Sequence, residues 1–240
     1  MRISRIVGLL TLALVAHTAA AAAAPLTIVT EDYPPFNMPK AGSQEIVGIS
    51  SDLLQAAFKK AGIAYSVALF PWARAYDMAQ KDPNTCVYST TRTPEREPLF
   101  KWAGPLVHND WVLFGRADSP HLTSLADVKP YTVGGYQGDA LTLYLQSQGV
   151  RMDVANADRL NPRKLAANRI DFWAAGAILG PYVAAREGVK GLVPALKIKE
   201  TEMYLACNKA VPDDVVGKIN GALKQLAADG TAAAIARKYQ

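Results

Sequence analysis

The stretches LTIVTE at 26–31, SDLLQAAFKKAG at 51–62, YSVALF at 65–70, PWARAYDMAQK at 71–81 and CVYS at 86–89 decide the fold. Leu26 to Glu31 is a compact apolar run that reads as a strand, ending in a loop with Tyr33-Pro34-Pro35-Phe36. From Gly48 to Gly62 the apolar residues Leu53, Leu54, Ala57, Phe58 and Ala61 recur on one helical face, with Ser51 as N-cap and Gly62 as C-terminal stop. Tyr65 to Phe70 is a strand, Pro71 opens a helix that runs to about Lys81, and Cys86 to Ser89 is a third strand. The order βαβαβ makes a parallel sheet with right-handed crossovers.

A second series of the same kind follows. Tyr131 to Gly134 predicts a strand, Asp139 to Ser147 a helix, and Arg151 to Ala155 a strand. Asn161-Pro162 starts a helix to about Asn168, and Ile170 to Ala175 closes the unit as a strand. Between the two series Trp111 to Arg116 is an extended apolar run, and Thr201 to Asn208 is another beyond the second. Val216, Ile219, Leu223 and Leu226 stripe a terminal helix that Gly230 ends, with Thr231 capping a last short one. Two crossings between two lobes would return the C-terminal helices to the first lobe, a hinge-closure design.

The N-terminus predicts export. Arg2 and Arg5 precede an apolar core at Ile6 to Ala16 and an alanine-rich tract at Thr18 to Ala24, the order of a cleaved signal, too short to span a bilayer. No cysteine near that tract offers a lipid attachment point. About 216 residues remain after residue 24, enough for one large or two small domains. The formal +5 counts Arg2 and Arg5, so about +3 remains, spread without a basic block, which argues against a nucleic-acid partner. Cys86 and Cys207 both survive cleavage and both fall in strands of the first lobe. In an oxidising compartment an even pair suggests a disulfide, two buried thiols being the alternative. No second Cys or His stands at ligand spacing, so neither a metal nor a cofactor is expected.

Tyr33-Pro34-Pro35-Phe36, the Gly48 to Leu53 segment, Ser89 to Arg96 with its Thr93-Pro94-Glu95-Arg96, and Phe100 to Leu106 stand in order along the first half. Val133 to Asp139, Arg169-Ile170-Asp171 and Leu223 to Tyr239 with Asp229-Gly230 complete the series. In this order and spacing the chain resembles bacterial extracellular solute-binding family 3, periplasmic proteins that serve ABC importers of polar amino acids. The resemblance covers the whole chain beyond the export signal; Pro71-Trp72-Ala73-Arg74 and the Cys86 strand mark a divergent branch. It implies an α/β, two-lobe periplasmic binding protein fold of type II, each lobe a mostly parallel sheet flanked by helices, with two hinge crossings. Residues 1–24 would be the signal, 25–113 and 202–240 the first lobe, and 114–201 the second.

The resemblance also nominates ligand-binding residues. Arg96 takes the position of the arginine that holds a ligand carboxylate, with Ser89 and Thr91 sharing the task, and a guanidinium suits it because its two parallel donors match two carboxylate oxygens. Tyr33 matches the aromatic residue that stacks on the ligand, and Trp72 stands where a second aromatic faces the cleft. Phe36 reads equally as core or site, Arg74 as cleft or solvent, and Trp102 and Trp173 as packing. In the second lobe Gln137 and Asp139 sit where a helix start meets the ligand. That segment departs from the family, since Gly138-Asp139-Ala140 lacks the usual hydroxyl residue, and Asp139 reads as a helix cap or as a ligand contact. A second departure is Gly176, where the amino-acid binders carry an aspartate for the ligand's ammonium.

Capture of a small polar solute, an amino acid or related carboxylate, for an inner-membrane ABC permease is the expected function, by a periplasmic monomer. A periplasmic enzyme of the same fold, dehydratase-like, is the rival, but Gly176 removes the acid such chemistry would use, and no catalytic residue is nominated. His108 and His121 fall near a crossing and in a loop. A ligand-sensing role is the other alternative.

Overall fold

The computed structural model describes residues 24–239; the expected export signal lies, except for Ala24, outside them. The chain forms two five-stranded sheets. The first contains β1 (Leu26–Thr30), β4 (Tyr65–Leu69), β5 (Thr85–Thr91), β6 (Lys101–His108) and β12 (Glu202–Cys207), in the order β4-β1-β5-β12-β6. β2 (Met38–Pro39) and β3 (Ile46–Val47) pair separately as a short ribbon. The second sheet contains β7 (Trp111–Arg116), β8 (Thr132–Tyr136), β9 (Arg151–Ala155), β10 (Phe172–Gly176) and β11 (Leu192–Lys199), in the order β11-β7-β10-β8-β9. Within each sheet the βα repeats pair in parallel, and the returning strands β12, β6, β7 and β11 pair antiparallel.

In the first lobe α1 (Ile49–Ala61) and α6 (Asp213–Ala228) cover one face of the sheet. Leu53, Leu54 and Phe58 from α1 meet Ile219, Leu223 and Leu226 from α6 over Tyr88, so the terminal stripe does fold back onto the first lobe. α2 (Trp72–Lys81) covers the other face through Trp72, Ala75 and Ala79. Phe58 is fully buried, and truncating it to alanine would cost about 3–5 kcal/mol. In the second lobe α3 (Ala140–Ser147) packs Leu141 and Leu145 against Val133 and Phe172. α4 (Asn161–Ala166) and α5 (Leu179–Arg186) cover the opposite face around Trp173. α7 (Thr231–Arg237) ends the fold. Cys86 and Cys207 stand opposite each other on β5 and β12 and are joined as a disulfide.

Several local expectations shift for identifiable reasons. Ser51 does not cap α1: Gly48 is the cap, at φ 132°, where a Cβ would lie 2.4 Å from the Phe36 carbonyl oxygen. Ser51 instead sits inside the first turn, its hydroxyl 2.8 Å from that of Tyr88. Gly230, left-handed at φ 80°, rather than Thr231 caps α7. Asn161 is the first residue of α4 and turns its amide inward to the Gly135 carbonyl at 3.0 Å. β7 belongs wholly to the second sheet, so the chain changes sheets between His108 and Trp111, whereas a boundary at 113/114 would cut the strand.

Candidate functional site

Parallel sheets deliver side chains to the crevice beyond the carboxyl ends of their strands, and the two sheets here present those ends to one another. Glu31, Asp32 and Tyr33 follow β1, Phe70 follows β4, and Trp72 begins α2. From the other side Tyr136 ends β8, Gln137 follows it, and Asp158 follows β9. Together they line a cavity of about 540 Å³ between the lobes.

The lobes are held together across this cavity. Trp72 Nε1 donates to the Gly138 carbonyl at 2.9 Å, and Arg96 Nη2 donates to the same oxygen at 3.0 Å. Gly138 lies at φ 77°, the left-handed region, and packs against the Trp72 ring so closely that a Cβ there would be 3.3 Å from it. Tyr136 donates its hydroxyl to Glu31 at 3.1 Å, and Arg186 grips Asp32 through two bonds of 3.2 and 3.1 Å. Trp72, Arg96, Glu31 and Asp32 of the first lobe therefore each bond to the second lobe in this closed arrangement.

The carboxyl groups set the electrostatics. Burial pushes the Glu31 carboxyl well above its ordinary range, against the Tyr136 hydrogen bond, and the charges of Asp139, Asp158 and Asp32 push the same way. Asp158 is raised to about 7, again mainly by burial, although its Oδ1 accepts from Trp173 Nε1 at 2.7 Å and Asn161 Nδ2 at 3.0 Å. Asp139 is raised by burial too, and the Thr142 amide and Arg96 pull it back. Among the described residues neither Glu31 nor Asp158 has a cationic partner, whereas Asp32 is taken by Arg186 and Glu187 by Arg163 at 3.0 Å. Arg159 lies exposed at the rim of the cavity. The cavity thus joins two unpaired carboxyls, one from each lobe, to aromatic walls.

The residues nominated from sequence are distributed unevenly. Tyr33, Trp72 and Gln137 line the cavity. Arg96 is buried on the far side of Trp72, its guanidinium 4.9 Å from the Tyr76 ring and 5.4 Å from that of Trp72, with a bond to the Thr91 carbonyl at 3.3 Å. It faces a second interlobe hollow of about 470 Å³, which Trp72 divides from the first. Ser89 turns its hydroxyl to Asn37, away from the cavity. Arg74 is exposed and lies over Phe70 at 4.5 Å. Asp139 caps α3, accepting from the Thr142 amide at 2.9 Å. Phe36 and Trp173 are fully buried, and Phe36 stacks on Tyr33 with centroids 5.8 Å apart. Glu31, Tyr136 and Asp158 were not singled out from the sequence. The only trace of Asp158 in the sequence is indirect: the indole N–H of Trp173, inside a buried strand, needs some acceptor, and the fold supplies Asp158.

A family model for bacterial extracellular solute-binding proteins, family 3, matches residues 26–240. No curated protein sequence matches. Among solved structures, a histidine kinase sensor domain with similarity to periplasmic binding proteins superposes with a TM-score of 0.83 at 19% identity, over 90% of this chain and 96% of that one. The arginine-, lysine-, histidine-binding protein ArtJ from Geobacillus stearothermophilus gives 0.79 at 19%, over 90% and 94%. An ancestral arginine-binding protein bound to arginine gives 0.78 at 21%, over 90% and 97%. These likenesses establish the two-lobe, type II periplasmic binding protein fold. With the family model spanning nearly every described residue, the chain belongs to the bacterial extracellular solute-binding proteins of family 3.

Proposed function

We propose that this protein captures a small solute carrying a positively charged group, closing its lobes on it in the cleft, and delivers it to an inner-membrane ABC permease. The observation that carries the reading is the pair Glu31 and Asp158, contributed by opposite lobes to one cavity and without a cationic partner among the described residues. An ammonium or guanidinium between them would satisfy both carboxyls and bridge the lobes, and Tyr33, Trp72 and Tyr136 would supply aromatic faces that attract a cation. Closure follows from differential affinity, since only the closed form presents both carboxyls together. Arg96 serves in the closed form as a latch on the Gly138 carbonyl, and its remaining N–H groups would be the ones to meet an anionic group of the solute. Asp139 contributes negative potential from the cap of α3, and the protein works as a monomer in the periplasm, where its disulfide persists. Gly176 supplies no carboxylate at the place where the amino-acid binders hold the ligand's ammonium, which leaves Glu31 and Asp158 to take that part. The fold likeness to a kinase sensor domain supports a second reading, in which the same closure is read by a signalling partner in place of a permease.

Native mass spectrometry of the freshly purified protein, followed by thermal shift with L-arginine, agmatine, L-glutamine and L-glutamate, tests the proposal. A retained basic molecule, and stabilisation by L-arginine or agmatine but not by L-glutamate, is the expected result. Stabilisation by L-glutamate alone would overturn the charge assignment.

A further inference from the structure

Asn109 lies in the short crossing between β6 and β7, only 3% exposed. Its main chain stitches the two crossings together: its amide donates to the Thr201 carbonyl at 3.0 Å, and the Thr201 hydroxyl donates to its carbonyl at 2.8 Å. Its side chain reaches both lobes. Nδ2 donates to the Tyr33 hydroxyl at 3.3 Å, in the first lobe, and Oδ1 accepts from the Ile178 amide at 3.3 Å, in the second. The amide lies directly over Gly176, where a Cβ would fall 2.2 Å from both Nδ2 and Oδ1. The missing side chain at 176 therefore makes room for an amide from the hinge.

We propose that Asn109 is a positioning residue that couples the hinge angle to the cleft wall, favouring the closed form by holding Tyr33 and the start of α5 at once. A side-chain amide has fixed reach. Because Tyr33 and Ile178 belong to lobes that separate about residues 109–110 and 200–201, both bonds can be satisfied only near the closed angle. Opening breaks at least one, and the group left behind is a cleft-wall hydroxyl or a backbone amide. The coupling is selective for one interlobe geometry, as a two-state element requires. The inference rests on the reading that the lobes close upon a solute.

Spin labels on exposed positions of the two lobes, through Gln55→Cys on α1 and Gln146→Cys on α3 with the native disulfide intact, report the closed fraction by pulsed dipolar spectroscopy. L-Arginine serves as the probe solute, and measurements are made with and without it. Asn109→Ala is expected to lower the closed-to-open ratio by about threefold to tenfold, the worth of a hydrogen bond or two. Gly176→Ala, which leaves Asn109 in place but crowds its amide, should lower it similarly. Asn109→Asp, which still accepts from the Ile178 amide and can accept a hydrogen bond donated by the Tyr33 hydroxyl, should restore most of it. In a Tyr33→Phe background the Asn109→Ala effect should shrink, because one partner is already gone. Matching melting temperatures among the variants separate this role from a merely structural one. Equal closed fractions in wild type and Asn109→Ala would overturn the role of Asn109 and leave solute capture standing. A wild type with no closed population, with or without L-arginine, would overturn the cleft reading and the inference with it.

Discussion

Replacing Asp158 with asparagine should stabilise the protein at neutral pH while weakening its grip on a cation. The Asp158 carboxyl is displaced from its ordinary 3.8 to about 7, chiefly because burial disfavours its ionised form. Between about pH 4 and 7 the folded chain keeps a proton that the unfolded chain has released, so this group's contribution to stability is full below about pH 4 and is lost as pH rises through 7. At about 1.4 kcal/mol for each pKa unit, the ionised group would cost about 4 kcal/mol. Asp158 is half-buried and lines the cavity, so solvent screens its charge and brings the figure nearer 2 kcal/mol. Asparagine keeps an acceptor oxygen for Trp173 and Asn161 and removes the charge. The stability difference between Asp158→Asn and wild type should therefore grow by about 2 kcal/mol in favour of the variant from pH 4 to pH 8, or about 4–8 °C in Tm at the upper pH. Glu31 and Asp139 are common to both proteins and largely cancel. Urea unfolding at the two pH values measures the difference, and calorimetry with L-arginine or agmatine at pH 8 should show at least tenfold weaker binding. A stability difference independent of pH would refute the argument that burial of this charge is paid from folding stability and recovered on binding.

Three further outcomes follow from the geometry. Arg96→Ala should weaken solute affinity tenfold or more by removing the bonds to Gly138 and Thr91, with Arg96→Lys restoring only part; unchanged affinity by calorimetry would remove Arg96 from the closing machinery. Asp139→Asn should not lower the melting temperature, because asparagine caps α3 equally well and carries no charge to bury, and should lower affinity for a cationic solute by the loss of its charge; unaltered affinity would make Asp139 a cap alone. Alkylation of the unreduced, denatured protein should label no thiol, and reduction should lower stability by up to about 4–5 kcal/mol, the chain-entropy worth of so long a loop, as chemical denaturation would measure.

Much of the fold was legible because its central parallel strands β1, β5, β8 and β10 are buried almost throughout and its helices carry clean apolar stripes. Trp111–Arg116 and Arg151–Ala155 form strands over the ranges their apolar patterns suggest. The two strands hardest to read, β6 and β11, carry Pro105 and Pro194, residues that argue against a strand interior. Both lie at sheet edges, where a missing N–H costs the ladder least. The site was less legible because its distinctive chemistry arises between segments. Glu31 looks like any charged residue after a strand until Tyr136, 105 residues on, meets it. Asn109 gains meaning only when Gly176 leaves space above β10. Helix periodicity and capping rules describe neighbours in sequence and are silent about such meetings.

The pairing of His108 with Glu202 at the end of the antiparallel β6–β12 ladder has a consequence for how such a molecule can be built. The whole second lobe departs and returns between these two facing residues, as an excursion from the tip of what would otherwise be a β-hairpin. Excising 109–201 and joining His108 to Glu202 through Asn-Gly, the favoured two-residue turn, would leave every strand of the first sheet, its disulfide and its helices uninterrupted. The first lobe is thus a scaffold with a single insertion port, into which a different second lobe, with different cleft chemistry, could be spliced without redesigning what receives it.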